Sequence, residues 1–391
     1  MKIEKLTPDF LRARPVLKKL QTAGYEAYFV GGSVRDLLLG RPSHDVDIAT
    51  SAYPAEIKTV FPRTIDVGIE HGTVLVLAGK TEAEQYEVTT FRTESAYTDF
   101  RRPDSVAFVR DLSEDLKRRD FTINALAMTA DGEIIDQFDG LTDLENKRLR
   151  AVGNPAERFQ EDALRTLRAL RFAATLDFEI EPATFDAIKS HASLLPNISI
   201  ERSFIEMDKL LLAPFWKKGL SAANDSVVWQ YLPDFQKVDV NDLSADFQFK
   251  NSAQAWGWLT LQFGGKLDLR QWKVSNELIK AVCQLTEAYQ LTEWSPTSLY
   301  KYGLEVAQLT DDLKAAEGQQ SQADKILSLD AQLQIHDKSE IVVRGAELMA
   351  EGFPAGPALG KMLSEIEQKI VRNKLKNEKR DILTYVRENF F

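Results

Sequence analysis

The chain of 391 residues contains a single cysteine, Cys283, and no long apolar run. One cysteine excludes an intrachain disulfide, so a reducing compartment, the cytoplasm, is the expected location. No stretch approaches the ~20 consecutive apolar residues that a membrane span requires, and residues 1–5 lack the apolar core of a signal peptide. The sequence therefore predicts a cytoplasmic globular protein without a membrane partner.

Positive charge is also scarce overall, since the formal net charge is −10. A globally acidic chain argues against a polyanionic partner, but electrostatic effects are local. Basic side chains concentrate in four places, namely Arg101 and Arg102, residues 117–119, the set Arg158, Arg165, Arg168 and Arg171, and residues 369–380. Most such clusters are solvated helix faces, so they are compatible with nucleic-acid binding without establishing it.

The most informative motif is Gly-Gly-Ser-Val-Arg-Asp at 31–36, followed nine residues later by Asp45-Val46-Asp47. On a strand, Asp45 and Asp47 would share one face while Val46 points to the core. Adjacent carboxylates repel each other unless a divalent cation lies between them, and glycines let backbone approach a phosphate. We predict a Mg²⁺-dependent site for a nucleoside triphosphate, with Asp45 and Asp47 as metal ligands. The alternative is an acidic turn.

A third carboxylate on a neighbouring strand is usual for this chemistry. Glu87 lies between Tyr86 and Val88, in an apolar-acid-apolar setting, and is the candidate. The alternative, an exposed strand glutamate, is equally compatible with the pattern.

Two further segments predict contacts to the nucleotide. Arginines within Lys-Arg-Arg-Asp-Phe-Thr-Ile-Asn-Ala at 117–125 bind phosphate oxygens in a forked geometry, and Asp120 would orient one of them. In Glu-Asp-Ala-Leu-Arg at 161–165, a helix would place Asp162, Arg165 and Arg168 on one arc. Cytosine and adenine present an amino group beside a ring acceptor, so an aspartate would accept from the amino group and an arginine would donate to the ring acceptor. The alternative is a surface ion pair.

The pattern along the chain predicts an α/β domain followed by helices. We expect helices over 10–23 and 54–60 and strands over 27–30, 45–49, 72–77, 85–91 and 133–138. Beyond Gly153 strand signals nearly vanish, and Asn154-Pro155-Ala156-Glu157 is a helix start. Trp256, Trp258 and Trp272 are expected in a helical core.

Five segments in this order resemble the bacterial class II CCA-adding tRNA nucleotidyltransferases. They are 31–36 with 45–47, 118–125, Asp139-Gly140 with Asp143-Leu144, 161–172, and Ser199-Ile200-Glu201-Arg202. The resemblance implies a polymerase β-like nucleotidyltransferase head at 1–150, followed by an all-α neck at 151–210, body at 211–295 and tail at 296–391. It points to the short subtype without a metal phosphohydrolase domain, since His336-Asp337 is the one His-Asp pair outside the acidic motif.

The family adds C, C and A to the 3′ end of tRNA from CTP and ATP, without a nucleic-acid template. The resemblance implies that Asp45 and Asp47 hold Mg²⁺ as the cofactor, and with Glu87 as the candidate third carboxylate these are the predicted catalytic residues. It also implies nucleotide contacts by a further set of residues: Gly32, Arg35, Arg119, Asp162, Arg165, Arg168 and Arg171. The tail would bind tRNA, and analogy with related short enzymes suggests a homodimer.

Three alternatives remain open. A-only addition and poly(A) polymerisation use the same motifs, but the A-only members shorten a loop that is intact here at 93–103. A non-catalytic RNA-binding scaffold would have no need of both Asp45 and Asp47. A small-molecule nucleotidyltransferase would not need the 161–165 segment or a distant basic tail.

Overall fold

A computed structural model describes residues 1–42, 45–79, 84–94 and 106–390. These residues form two compact units, Met1–Lys237 and Val238–Phe391. The Ser43-His44 dipeptide, most of the predicted loop at 93–103, and Arg101 and Arg102 within it lie outside the described residues. The division into head, neck, body and tail stays a prediction, since the one division found in the structure follows Lys237.

The first unit contains all the strands of the described residues. They are β1 (Ala27–Val30), β2 (Ile48–Thr50), β3 (Thr64–Gly68), β4 (Thr73–Leu77), β5 (Gln85–Thr90), β6 (Arg92–Glu94), β7 (Val106–Phe108), β8 (Leu126–Met128), β9 (Ile134–Asp136), β10 (Arg148–Leu149) and β11 (Glu179–Ile180). Seven of them form one sheet in the order β3-β4-β5-β2-β1-β8-β9. Within it β2 and β5 run parallel and the other neighbours are antiparallel.

The helices of this unit surround the sheet and continue beyond it. They are α1 (Pro8–Thr22), α2 (Gly32–Leu38), α3 (Pro54–Val60), α4 (Leu112–Lys117), α5 (Gly140–Glu145), α6 (Pro155–Glu161), α7 (Leu164–Leu176), α8 (Pro182–His191), α9 (Ile200–Leu211) and α10 (Trp216–Ser226). A buried cluster that includes Phe91, Leu112 and Leu116 packs α4 against the sheet. This packing fixes the chain that leads into the arginines at 118 and 119.

The five predicted strands exist, but the pattern missed two others of the seven-stranded sheet, β3 and β8, and the four short strands β6, β7, β10 and β11 outside it. β3 carries exposed Ile65 and Val67 and has no alternation of buried and exposed residues. β8 is buried on both faces in a three-residue run, which periodicity cannot distinguish from a short helical segment. The predicted helix at 54–60 is confirmed, and the helix at 10–23 is found at Pro8–Thr22.

The second unit is helical in its described residues. Its helices are α11 (Ser252–Gln262), α12 (Asn276–Tyr289), α13 (Pro296–Ala316), α14 (Ala323–Gln332), α15 (Gly345–Ala350), α16 (Pro357–Val371) and α17 (Lys379–Phe390). The prediction of core tryptophans is confirmed, because Trp256, Trp258 and Trp272 are 0 % exposed. Each such ring buries on the order of 150–250 Å². Because no surface of the three side chains is exposed, they cannot serve as stacking surfaces for bases.

His336 lies in the loop that follows α14. Its Nε2 lies 3.2 Å from Asp330 Oδ1, while Asp337 caps the short turn that follows. Among the residues that the structure covers, no helix has both the length and the apolar character needed to cross a bilayer.

Candidate active site

The glycine pair at the start of α2 brings backbone without a side chain close to an arginine and a carboxylate. Gly31 has φ of +71°, which side chains other than glycine rarely adopt. A Cβ at Gly31 would lie 2.8 Å from Arg119 Nη1 and 3.9 Å from Asp47 Oδ2. A Cβ at Gly32 would meet only Arg35, at an ordinary 3.5 Å. The turn therefore requires glycine at position 31. The sequence had predicted a nucleotide contact at Gly32 and none at Gly31.

We expect Gly31→Ala to weaken both folding and nucleotide binding. The positive φ costs about 1–3 kcal/mol for a non-glycine residue, and the new methyl group displaces Arg119. At roughly 2–4 °C per kcal/mol, the melting temperature should fall by several degrees. Gly24→Ala is the control, since Gly24 has φ of +91° and nothing within 4 Å of its Cβ position. Calorimetry and equilibrium CTP binding should show a stability loss in both variants and an affinity loss only in Gly31→Ala.

Asp45 and Asp47 lie just before β2, and the side chain between them points inward. Val46 is 7 % exposed, whereas Asp45 and Asp47 keep contact with solvent. The predicted separation of faces is confirmed, although the motif precedes the strand that was predicted to contain it. Both carboxylates are thus exposed just before the strand, and they are close enough for the charge of Asp45 to act on Asp47.

Glu87 lies beside Asp47 on the next strand. The parallel register pairs Ile48 with Val88, so the residues just before them are Asp47 and Glu87. Desolvation by the surrounding protein, together with the charges of Glu87 and Asp45, raises the pKa of Asp47 to about 6, while Arg119 opposes the shift. The three carboxylates thus share one electrostatic environment, in which negative charge is crowded.

This donor set fits a divalent cation. Carboxylate oxygens are the ligands that Mg²⁺ prefers, and one or two of them usually suffice because nucleotide phosphates and water complete the shell. Across the described parts of the chain, no three His, Cys, Asp or Glu side chains form a group able to hold a metal on their own. Asp45 and Asp47 as metal ligands, and Glu87 as a third carboxylate, stay predictions.

A buried polar network joins α2 to α7. Arg35 Nη1 donates to Asn124 Oδ1 at 2.6 Å, and Asn124 Nδ2 donates to Asp120 Oδ1 at 2.9 Å. Arg168 Nε and Nη2 donate to Asp120 Oδ2 at 2.8 and 2.6 Å. Burial opposes ionisation of Asp120, but the charge of Arg168 and these hydrogen bonds outweigh it and hold its pKa well below the usual value. Asp120 orients Arg168, whereas the sequence predicted that it would orient an arginine of the 117–125 segment. Arg118 and Arg119 pair with Asp115 instead.

Glu206 on α9 extends this network and was missed by sequence reasoning. Its Oε2 accepts from Arg171 Nε at 2.5 Å, and its Oε1 lies 3.6 Å from Arg168 Nη1. Glu206 is 6 % exposed and follows buried Ser203 by three residues. The sequence did offer a signal for this role, namely a carboxylate on the apolar face of an amphipathic helix.

Phe172 is the apolar centre of the same region. Its ring centroid lies 4.0 Å from the guanidinium carbon of Arg171, 5.1 Å from that of Arg35 and 5.4 Å from that of Arg168. Guanidinium groups are attracted to the faces of aromatic rings. Three of the predicted nucleotide-binding arginines are thus gathered around one side chain.

The structure corrects the prediction that Asp162 and Arg165 lie on one helix. α6 ends at Glu161, and Asp162 has extended backbone with φ of −139° before α7 begins. Asp162 Oδ2 accepts from Arg202 Nη2 at 2.7 Å, and its Oδ1 accepts from the Leu164 backbone N–H at 3.0 Å. The helix breaks because Asp162 caps the following turn with its own side chain, a competition with the backbone that wheel geometry does not represent.

Arg165 has different partners from Asp162. Its Nη1 donates to Glu161 Oε2 at 2.7 Å, and its Nη2 donates to the Arg118 carbonyl at 2.9 Å. Its side chain is 9 % exposed. The Arg165 side chain is therefore almost completely buried, and its contact with a base stays a prediction.

Three family models match successive parts of the chain. Residues 27–150 match the "Poly A polymerase head domain", and residues 177–238 match the "Probable RNA and SrmB- binding site of polymerase A". Residues 247–386 match "tRNA nucleotidyltransferase domain 2 putative". The first match contains the glycine turn, both aspartates, Glu87 and Arg119.

Full-length relatives and a solved structure are similar to the chain. The CCA-adding enzyme of Lactococcus lactis subsp. cremoris (strain SK11) is 60% identical over 396 residues, covering 99% of this chain and 98% of that one. The CCA-adding enzyme of Streptococcus suis (strain 05ZYH33) is 54% identical over 400 residues, with 99% and 98% covered. The crystal structure of the Bacillus stearothermophilus CCA-adding enzyme in complex with CTP has a TM-score of 0.84 and 38% identity, with 98% of each chain covered.

Proposed function

The chain belongs to the CCA-adding enzymes, and on that premise we propose how its own residues carry out the reaction. It is a tRNA nucleotidyltransferase that adds C, C and A to the 3′ end of tRNA from CTP and ATP, with release of pyrophosphate. The geometric observation that supports this most is that Arg119 Nη1 and Asp47 Oδ2 both lie within 4 Å of the Cβ position of Gly31. A guanidinium that can bind an anion and a carboxylate that can bind a metal thus lie beside one stretch of backbone without a side chain, which suits a triphosphate with its cation.

Asp45 and Asp47 would hold the cation. Nucleotidyltransferases of this class generally use a divalent metal, and we propose Mg²⁺ because the available donors are carboxylate oxygens. Bound there, Mg²⁺ would acidify the attacking 3′-hydroxyl and neutralise charge on the triphosphate. The 3′-oxygen forms a bond to the α-phosphorus, the bond from that phosphorus to the β-phosphate oxygen breaks, and the hydroxyl proton is lost to solvent.

The arginines would orient the nucleotide. Arg119 is placed for the phosphates, next to the Gly31-Gly32 backbone, and Arg35 lies on the helix that follows. Arg168 and Arg171 are held by Asp120 and Glu206, so their positions are fixed before the nucleotide binds. Fixed donors bind phosphate without a large loss of side-chain entropy. Asp162 and Arg165 are the proposed base contacts.

Other parts of the assignment rest on the sequence pattern. We propose the four regions at 1–150, 151–210, 211–295 and 296–391, with tRNA bound along the tail. The basic segment 369–380 supports this, since Arg372, Lys374 and Lys376 in it are exposed. The tRNA substrate and the single cysteine support a cytoplasmic location. A homodimer stays a prediction by analogy.

Incubation with Mg²⁺ and tRNA lacking its 3′ end tests the function directly. With CTP alone we expect two additions, with ATP alone none, and with both nucleotides one further A after the two C residues. The reason is that one site must accept each base in turn without a template. Gel resolution at single nucleotides, with intact tRNA as the control substrate, reads out the result.

Other outcomes identify the alternatives. Addition of A only to tRNA that already ends in C-C would mean an A-only enzyme, and a long ladder of A would mean a poly(A) polymerase. No extension of any substrate would favour the non-catalytic scaffold.

A further inference from the structure

A buried carboxylate next to the site has no assigned role. Asp115 on α4 is 1 % exposed and lies outside every motif that we singled out. Its neighbours Leu112 and Leu116 are also buried, so it sits on the inner face of the helix. Carboxylates are rarely buried to this extent unless they are paired.

Asp115 holds two consecutive arginines by separate oxygens. Oδ1 accepts from Arg118 Nε at 3.0 Å and Nη2 at 2.8 Å, while Oδ2 accepts from Arg119 Nη2 at 3.1 Å. Arg119 Nη1 also donates to the Asn124 carbonyl at 3.3 Å, and Arg119 Nε is buried without a partner among the described residues. The guanidinium of Arg119 is therefore held by two acceptors, the Asn124 carbonyl and the Asp115 carboxylate, of which Asp115 carries the charge.

The same carboxylate anchors the start of β6. Oδ1 lies 3.3 Å from the Arg92 backbone nitrogen, which donates to it. Burial opposes ionisation of Asp115, but the charges of Arg119 and Arg118 outweigh it and lower its pKa. The charged side chain of Asp115 thus binds the first residue of β6 and both arginines that precede Asp120.

We propose that Asp115 is a positioning residue for nucleotide binding, which holds the Arg119 guanidinium beside Gly31 and Asp47 before a nucleotide arrives. The proposal rests on the proposed function in one respect, that Arg119 binds the triphosphate. Because Asp115 acts through Arg119, its loss affects CTP and ATP alike and leaves base selection unchanged.

The direction in which KM changes on loss of Asp115 distinguishes a positioning role from a purely electrostatic one. Removing a negative charge next to Arg119 would strengthen attraction for a triphosphate if charge alone mattered. Losing the fixed geometry weakens it, because an unanchored side chain must be ordered on binding. For Asp115→Asn we expect KM for both CTP and ATP to rise about tenfold, with a smaller change in kcat. Glu114→Gln is the matched control, since Glu114 is the exposed carboxylate one residue earlier on α4.

Steady-state kinetics of both variants on tRNA substrates, with equilibrium dialysis of CTP, carry the test. The double variant Asp115→Asn with Arg119→Gln should lose no more affinity than Arg119→Gln alone, whereas a merely structural role would add to the loss. If Asp115→Asn does not fold, Asp115→Glu keeps the charge and shifts the acceptor by one methylene, and it should show the same rise in KM. An unchanged or lower KM in a folded variant overturns the proposal. Failure of the wild-type protein to extend tRNA would instead count against the proposed function.

Discussion

Asp47→Asn is expected to abolish addition of both C and A while the fold persists. The amide has the shape of the carboxylate but is a poor ligand for Mg²⁺, and the lost transition-state stabilisation of several kcal/mol corresponds to at least about a 10³-fold fall in kcat. Asp45→Ala should have a comparable effect. Single-turnover assays with each nucleotide measure the rate, and filter binding measures the affinity for tRNA, which should stay within about twofold.

The melting temperature gives this prediction a second readout. Desolvation and the nearby Glu87 and Asp45 disfavour the charged form of Asp47, as its raised pKa shows. A neutral side chain relieves that repulsion, so Asp47→Asn should melt at the wild-type temperature or higher. Asp66→Asn is the control for the same substitution outside the carboxylate cluster, because Asp66 lies on the edge strand β3 and pairs with Lys58. Full activity in Asp47→Asn would refute the metal assignment, and a parallel loss of stability would mean that the activity loss reports unfolding.

Local patterns predicted what depends on neighbours in sequence. Val46 is buried while Asp45 and Asp47 are exposed, which is the alternation predicted for this motif, although the motif lies just before the strand. Asn154 Oδ1 caps α6 by accepting from the Ala156 N–H at 3.1 Å. These are interactions over a few residues, and periodicity and capping rules represent them well. The same holds for the α/β head and for the helices that follow it.

Contacts between distant segments were not accessible in this way. Asp162 pairs with Arg202 forty residues later, and Arg171 pairs with Glu206 thirty-five residues later. Asp115 in the acidic start of α4 looks like a residue that favours the helix N-terminus, and only the packing of α4 on the sheet shows that it is buried. The choice of ionic partner among many arginines is decided by the tertiary fold, which a single sequence does not reveal.

The second large effect is expected at Asp162, where Asp162→Ala should relax nucleotide selection. A carboxylate offers about four lone-pair positions, and the Arg202 and Leu164 contacts occupy two of them. In the proposed role, a remaining position would accept from an exocyclic amino group of cytosine or adenine. We expect kcat/KM for CTP and ATP to fall about 10²-fold, and the preference over UTP and GTP to fall at least tenfold.

Competition assays with all four nucleotides on tRNA lacking its 3′ end measure this preference. Glu157→Ala is the control, since Glu157 is an exposed carboxylate on α6. tRNA affinity should be unchanged in both variants, because Asp162 would contact the incoming base and not the phosphate backbone.

Asp162→Asn sharpens the argument. An amide can donate as well as accept, and uracil and guanine present a carbonyl oxygen where cytosine and adenine present an amino group. Incorporation of UTP and GTP should therefore be higher in Asp162→Asn than in Asp162→Ala, although neither variant carries a negative charge at this position. If both variants keep the wild-type preference, base selection does not involve Asp162, and its contact with Arg202 serves only to join α9 to the start of α7.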